Sequence, residues 1–179
     1  MRLLGLVLCA LAMAGLALPA TVQQETALTL AIRIVPTGFD ETGPALIALG
    51  EPSGHFQVVV TNTGTSTLRL WSEGCSWGYS NLSFEATGPD GMQLRVAKKT
   101  VGWEKNFPKV VSLSTGDHMV MEVAFDSATW DNPPVPKTGA SRKVTLRAIY
   151  ESAEDKDSRD HKVWSGKIIS PEREYIVTR

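Results

Sequence analysis

The sequence predicts an all-β sandwich, and three observations lead to it. Apolar residues fall on alternate positions through most of the chain, the spacing of a half-buried strand. Short clusters of Gly, Pro, Asn, Asp and Ser separate these runs, and 15 glycines and 10 prolines make the chain turn-rich. Beyond residue 20 no stretch carries an amphipathic helical period.

The chain has 179 residues, enough for one domain of ordinary size. It opens with Met1-Arg2, and Leu3 to Ala20 then carry no charge. Gly15 and Pro19 break the end of that run, small residues close it, and no basic stop-transfer cluster follows. This is the pattern of a cleaved secretory signal, with Ala17 or Ala20 as the last residue removed. The expected organisation is a signal peptide over residues 1–20 and one β-sandwich domain over residues 21–179.

Within that domain, Thr26 to Val35 places Leu28, Leu30, Ile32 and Ile34 on one face. Ala45 to Leu49 is a shorter apolar run closed by Gly50-Glu51-Pro52. His55 to Asn62 alternates through Phe56, Val58 and Val60, turns at Asn62-Thr63-Gly64-Thr65, and resumes at Leu68 and Leu70. Asn81 to Thr87 carries Leu82, Phe84 and Ala86, and Gly88-Pro89-Asp90-Gly91 returns the chain into Met92, Leu94 and Val96 as a hairpin. A less regular stretch follows. Ser114-Thr115-Gly116-Asp117 then turns into Met119, Met121, Val123 and Phe125. A proline-rich crossing from Asp131 to Gly139 precedes Val144, Leu146, Ala148 and Tyr150. After a polar loop from Glu151 to Asp160, Val163-Trp164, Ile168-Ile169 and Tyr175-Ile176-Val177 complete the series. Eight to ten short strands without a fixed repeat fit a sandwich better than a propeller or solenoid. Their lengths and the long crossing suit the Greek-key connections of an immunoglobulin-like sandwich.

Charge and composition exclude several classes of function. With 18 basic and 19 acidic residues the formal net charge is −1, which gives no phosphate-tracking surface and makes nucleic acid an unsuitable partner. Of the two cysteines, Cys9 lies in the leader, so the exported chain holds Cys75 alone and forms no internal disulfide. Beside Trp77 and Tyr79, and without a histidine near it in sequence, Cys75 reads as a buried thiol in preference to a nucleophile.

Three motifs suggest chemistry and lack its context. Gly74-Cys75-Ser76-Trp77-Gly78 spells the G-x-S-x-G of a nucleophile elbow, but a strand pattern follows it where the elbow needs a helix. His118-Met119-Val120-Met121 offers soft ligands for copper, but in a strand the methionines share a face that His118 does not. Asp155 to Asp160 spaces carboxylates as a calcium loop does, without the glycine and glutamate of an EF-hand, and reads as a solvated hairpin tip. No catalytic residue, metal ligand or cofactor is assigned.

The five tryptophans carry more weight. Trp71 and Trp164 fit the core; Trp77, Trp103 and Trp130 lie in or beside loops, where they either complete the core or face a partner. Trp77 and Tyr79, Trp103 and Phe107, and Trp130 are the candidate contact residues, because aromatics flanked by small polar residues give large contact area at low entropy cost.

The runs GHFQVVVTNTGTSTLRLW, NLSFEATGPDG, SLSTGDHMVMEVAF and KVTLRAIY, from Gly54 to Tyr150, resemble small immunoglobulin-like domains of bacterial proteins. They are similar in particular to the intracellular proteinase inhibitor type, in the order of Val60-x-Asn62-Thr63, Asp90-Gly91 and Leu113-x-x-Gly116-Asp117. The resemblance implies a non-enzymatic binding module, with protease inhibition as an alternative and a periplasmic copper-binding protein as a second one. The expected setting is periplasmic or extracellular, with a protein, peptide or glycan partner and no membrane span after signal cleavage.

Overall fold

The computed structural model describes residues 29–39, 45–49 and 54–179. The signal peptide read over residues 1–20, its cleavage sites, and the start of the first strand pattern at Thr26 to Leu28 lie outside the described residues. Among the described residues no helix is long and apolar enough to cross a membrane.

The fold is all-β. In chain order the elements are β1 (Leu30–Val35), β2 (Gly38–Phe39), β3 (Ala45–Ala48), β4 (Phe56–Asn62), β5 (Leu68–Trp71), α1 (Ser76–Tyr79) and β6 (Leu82–Thr87). Then come β7 (Gln93–Lys98), β8 (Val110–Leu113), β9 (His118–Val123), β10 (Trp130–Asp131), β11 (Ser141–Ser152), α2 (Lys156–Asp160), β12 (Gly166–Ile169) and β13 (Arg173–Thr178). One sheet runs β1-β4-β9; a second runs β10-β7-β6-β11-β13-β3-β2, with β12 also on β11; β5 and β8 form a separate pair. All pairings are antiparallel except β13 with β3, which is parallel with Tyr175 opposite Ala45.

The alternating residues are the ones that meet. Leu30, Ile32, Ile34, Phe56, Val58, Val60, Met119, Met121 and Val123 from the first sheet share one hydrophobic cluster with Phe84, Ala86, Val96, Val144, Leu146, Ala148, Tyr150, Tyr175 and Val177 from the second. At its centre Phe56, Phe84, Phe125 and Trp130 contact one another edge to face, with ring centroids 5.0 to 5.8 Å apart. That is the arrangement ring quadrupoles favour.

One buried polar residue organises the first sheet. The β4–β9 ladder ends at Thr61 opposite His118, and the β5–β8 ladder begins at Leu68 opposite Leu113. Asn62 occupies the gap, fully buried. Its amide nitrogen donates to the carbonyls of Ser66 (2.8 Å) and Leu113 (2.9 Å), and its side-chain oxygen accepts from the Gly64 N–H (3.0 Å). Its backbone pairs with Asp117 and Gly116 across the break. Each polar atom is satisfied, so both strands interrupt at one level without leaving an orphan donor or acceptor in the core.

The hairpin expected at Gly88 to Gly91 is present. The Gly91 N–H donates to the Gly88 carbonyl (3.0 Å), and Gly91 takes a left-handed φ of 76°, which its missing Cβ permits. The less regular stretch before Ser114 contains β8. Two short helices were not expected from the sequence: α1 and α2 span four and five residues, too short to display a helical period. The polar tip at Asp155 to Asp160 is therefore a capped turn of helix. The Asp155 carboxylate accepts from the Ser158 N–H (2.7 Å), and the Ser158 hydroxyl accepts from the Asp155 N–H (2.9 Å), a reciprocal capping box.

Candidate functional site

Three loops leave the sheets at the same end. Loop 72–81 joins β5 to β6, loop 99–109 follows β7, and loop 153–165 joins β11 to β12. Their common placement follows from the register: Leu82 at the start of β6 lies opposite Tyr150 near the end of β11, and Ser83 opposite Ala97 near the end of β7.

The first loop folds tightly on its own strand. Cys75 has an extended backbone, and its carbonyl accepts from the N–H groups of Gly78 (3.1 Å) and Tyr79 (2.9 Å) to close α1. A Cβ on Gly78 would lie 2.2 Å from the Ser72 carbonyl oxygen, so only glycine lets the turn approach the chain this closely. The Cys75 thiol is buried, as expected, and donates to the Ser72 carbonyl (3.1 Å). It forms a second small core with Trp71 and Val163, against which Trp77 and Val110 pack.

Polar bonds between loops then lock the three together. The Trp77 indole stacks on Trp71 at 5.7 Å, and its N–H donates to the Asp157 carboxylate in α2 (2.8 Å). His161, just past α2, packs against the other ring of that stack, 5.2 Å from Trp71. Asn106 of the second loop accepts from the Ser76 N–H (3.0 Å) and donates to the Ser76 hydroxyl (2.5 Å). The Ser72 N–H donates to the Lys109 carbonyl (2.9 Å), and the Trp164 N–H to the Arg69 carbonyl (2.8 Å). Beneath them the Asn81 amide, oriented so that its nitrogen donates to the Trp77 and Glu151 carbonyls, presents its other end to the Tyr150 hydroxyl at 3.5 Å. Burial pushes Tyr150 up to about 12; the contact with Asn81 opposes that rise, and the nearby Cys75 adds to it.

The five candidate contact residues separate by position. Tyr79 and Trp103 meet edge to face at 5.7 Å, so the first two loops do come together. Trp103 is 37% exposed and Phe107 78%. Trp77 is half-buried, its ring and its N–H both occupied internally. Trp130 is 2% exposed: β10 pairs it with Lys98, and its ring lies among the core phenylalanines, so packing takes the place of the partner-facing role expected for it. Of the two tryptophans assigned to the core, Trp71 is buried in the second cluster, and Trp164 is half-buried, stacked on Tyr150 at 6.2 Å.

Lys98 was not singled out from the sequence. Its ammonium pairs with Glu73 (3.3 Å) and sits 4.7 Å from the centre of the Tyr79 ring and 5.7 Å from that of Trp130, with only 11% of its side chain exposed. A cation between two aromatic faces joins the core to the loop end. The signal was parity: Lys98 lies two residues beyond Val96, on the inward face of β7.

The other motifs are structural in their placement. Met119 and Met121 point into the core, while His118 is exposed on the opposite face, 3.4 Å from the Thr61 hydroxyl. Among the described residues no three His, Cys, Asp or Glu side chains gather as a metal site. Set against known protein families, curated proteins and solved structures, the chain matches none.

Proposed function

We propose that the chain is an exported, non-enzymatic binding module with an immunoglobulin-like Greek-key sandwich, which meets its partner through the loop end. The strand order supports the topology. Neighbours such as β4 with β9 and β6 with β11 are distant in sequence, and the first strands divide between sheets, β1 beside β4 and β3 parallel to β13. Such neighbours are what Greek-key connections produce. The basic start and uncharged run of residues 1–20 support export.

The observation that carries the reading is the contrast within the second loop. Asn106 and Lys109 are bonded to the first loop, yet Trp103 and Phe107 beside them remain exposed. Aromatics held in the open by a rigid frame are the usual make-up of a recognition surface, here for a protein, peptide or glycan. The test is retention of partners from the native cell envelope by immobilised protein, compared with Trp103→Ala and Phe107→Ala variants. Both variants should lose most of the retained material while keeping the wild-type β-sheet circular dichroism. Equal retention by all three proteins would remove the loop end as the binding surface.

A further inference from the structure

We infer that loop 99–109 seats the protein on an anionic lipid bilayer. This goes beyond a protein, peptide or glycan partner and shares with that reading only the premise that the loop end is the interacting face.

Seven large hydrophobic side chains are exposed among the described residues, and three of them, Val101, Trp103 and Phe107, belong to this one loop. Their exposure is built in. The Asn106–Ser76 pair of hydrogen bonds fixes the residue before Phe107, and the Ser72–Lys109 bond fixes the chain two residues after it, with Pro108 between. Between these two fixed points Phe107 is 78% exposed. Apolar side chains presented outward from one loop suit a soft medium, and the headgroup–acyl boundary of a bilayer supplies one.

Charge selects the lipid. In a chain of net charge −1, this loop carries Lys99, Lys105 and Lys109 against Glu104; the Lys99 ammonium is held by the Ser127 carbonyl (2.6 Å), so Lys105 and Lys109 are the pair that meets the lipid. Lys105 and Lys109 are exposed on either side of Phe107. With the ring in the interface, both ammonium groups lie at headgroup level, where anionic phosphates attract them and their stems reach past apolar surface.

The experiment is co-sedimentation of the full chain with vesicles of phosphatidylcholine alone and of phosphatidylcholine with phosphatidylglycerol. Variants Phe107→Ser and Lys105→Glu/Lys109→Glu are carried in the same full chain, so any contribution of residues 3–20 is common to all. The wild type should partition onto the anionic vesicles about tenfold more than either variant. Its excess over the zwitterionic vesicles should disappear in high salt. Partitioning unchanged by Phe107→Ser, or equal on both lipids, would overturn the bilayer as partner. The loop end would still stand as a recognition surface if Trp103→Ala and Phe107→Ala abolish retention of envelope material, so the two readings fail separately.

Discussion

The molecule holds two collections of aromatic rings, built on different rules. In the main core Phe56, Phe84, Phe125 and Trp130 are buried in one cluster and meet edge to face, with only Trp130 also approached by a charge, that of Lys98. At the loop end Trp71, Trp77, Tyr79 and Trp103 grade from buried to exposed, and polar handles fix them: an indole N–H on Asp157, a lysine over Tyr79, an asparagine on Ser76. The first collection is positioned by burial, which is non-directional and tolerant of neighbours. The second is positioned by directional bonds between segments that have few apolar residues of their own. Removing a ring from the first should therefore unfold the molecule, and removing a handle from the second should loosen one end of it.

The largest effect is expected from Trp130→Ala, which leaves a cavity beside Phe84 and Phe125 and should cost about 3–5 kcal/mol. Urea denaturation would read it as a lower midpoint with an unchanged slope. A loss below 1 kcal/mol would place Trp130 with the loop set.

Next comes alkaline pH. The Tyr150 hydroxyl ionises near 10 in the unfolded chain and near 12 in the fold, so the folded state holds its proton longer. The stability linked to that group is complete below pH 10 and is lost as pH rises toward 12, by about 2–3 kcal/mol. Replacing Tyr150 with Phe should flatten this part of the stability–pH curve. Tyr175 is also shifted upward by burial and leaves a residual slope of the same sign.

The smallest effect is expected from Trp77→Phe, which keeps the stack on Trp71 and deletes the donor to Asp157, at about 1 kcal/mol. Amide hydrogen exchange should quicken in residues 153–165 while the core strands keep their protection. Uniform acceleration across β6 and β11 would show that the two collections are one cooperative unit.

The same contrast explains what the sequence made legible. Alternation identified β4, β6, β9 and β11 because each presents one face to the core, as the burial pattern of β9 shows residue by residue. Turn residues identified the β6–β7 hairpin. β8 escaped because Val110 to Leu113 is too short to alternate visibly, and its partner β5 lies some forty positions earlier. Trp130 stayed open between core and contact for a related reason: its burial depends on a two-residue pairing with β7 that no local pattern announces. At the site, Trp103 and Phe107 were legible as exposed loop aromatics. Trp77 was not legible as a hydrogen-bonded strut, since Asp157 lies 80 residues away.

The parallel seam between β3 and β13 sets the order in which this molecule can be completed. Ala45 lies opposite Tyr175, 130 positions later, and apart from the two residues of β2, β13 is the neighbour of β3 in the sheet. A chain emerging from its amino end presents β3 early and must keep that edge unpaired until residues 173–178 have followed. Closing so long a loop adds only logarithmically to the entropic cost, but the ordering comes before the contacts that reward it. The seam therefore cannot form before the last strand is available, and until then the edge of β3 that β13 covers is open to pairing with another chain.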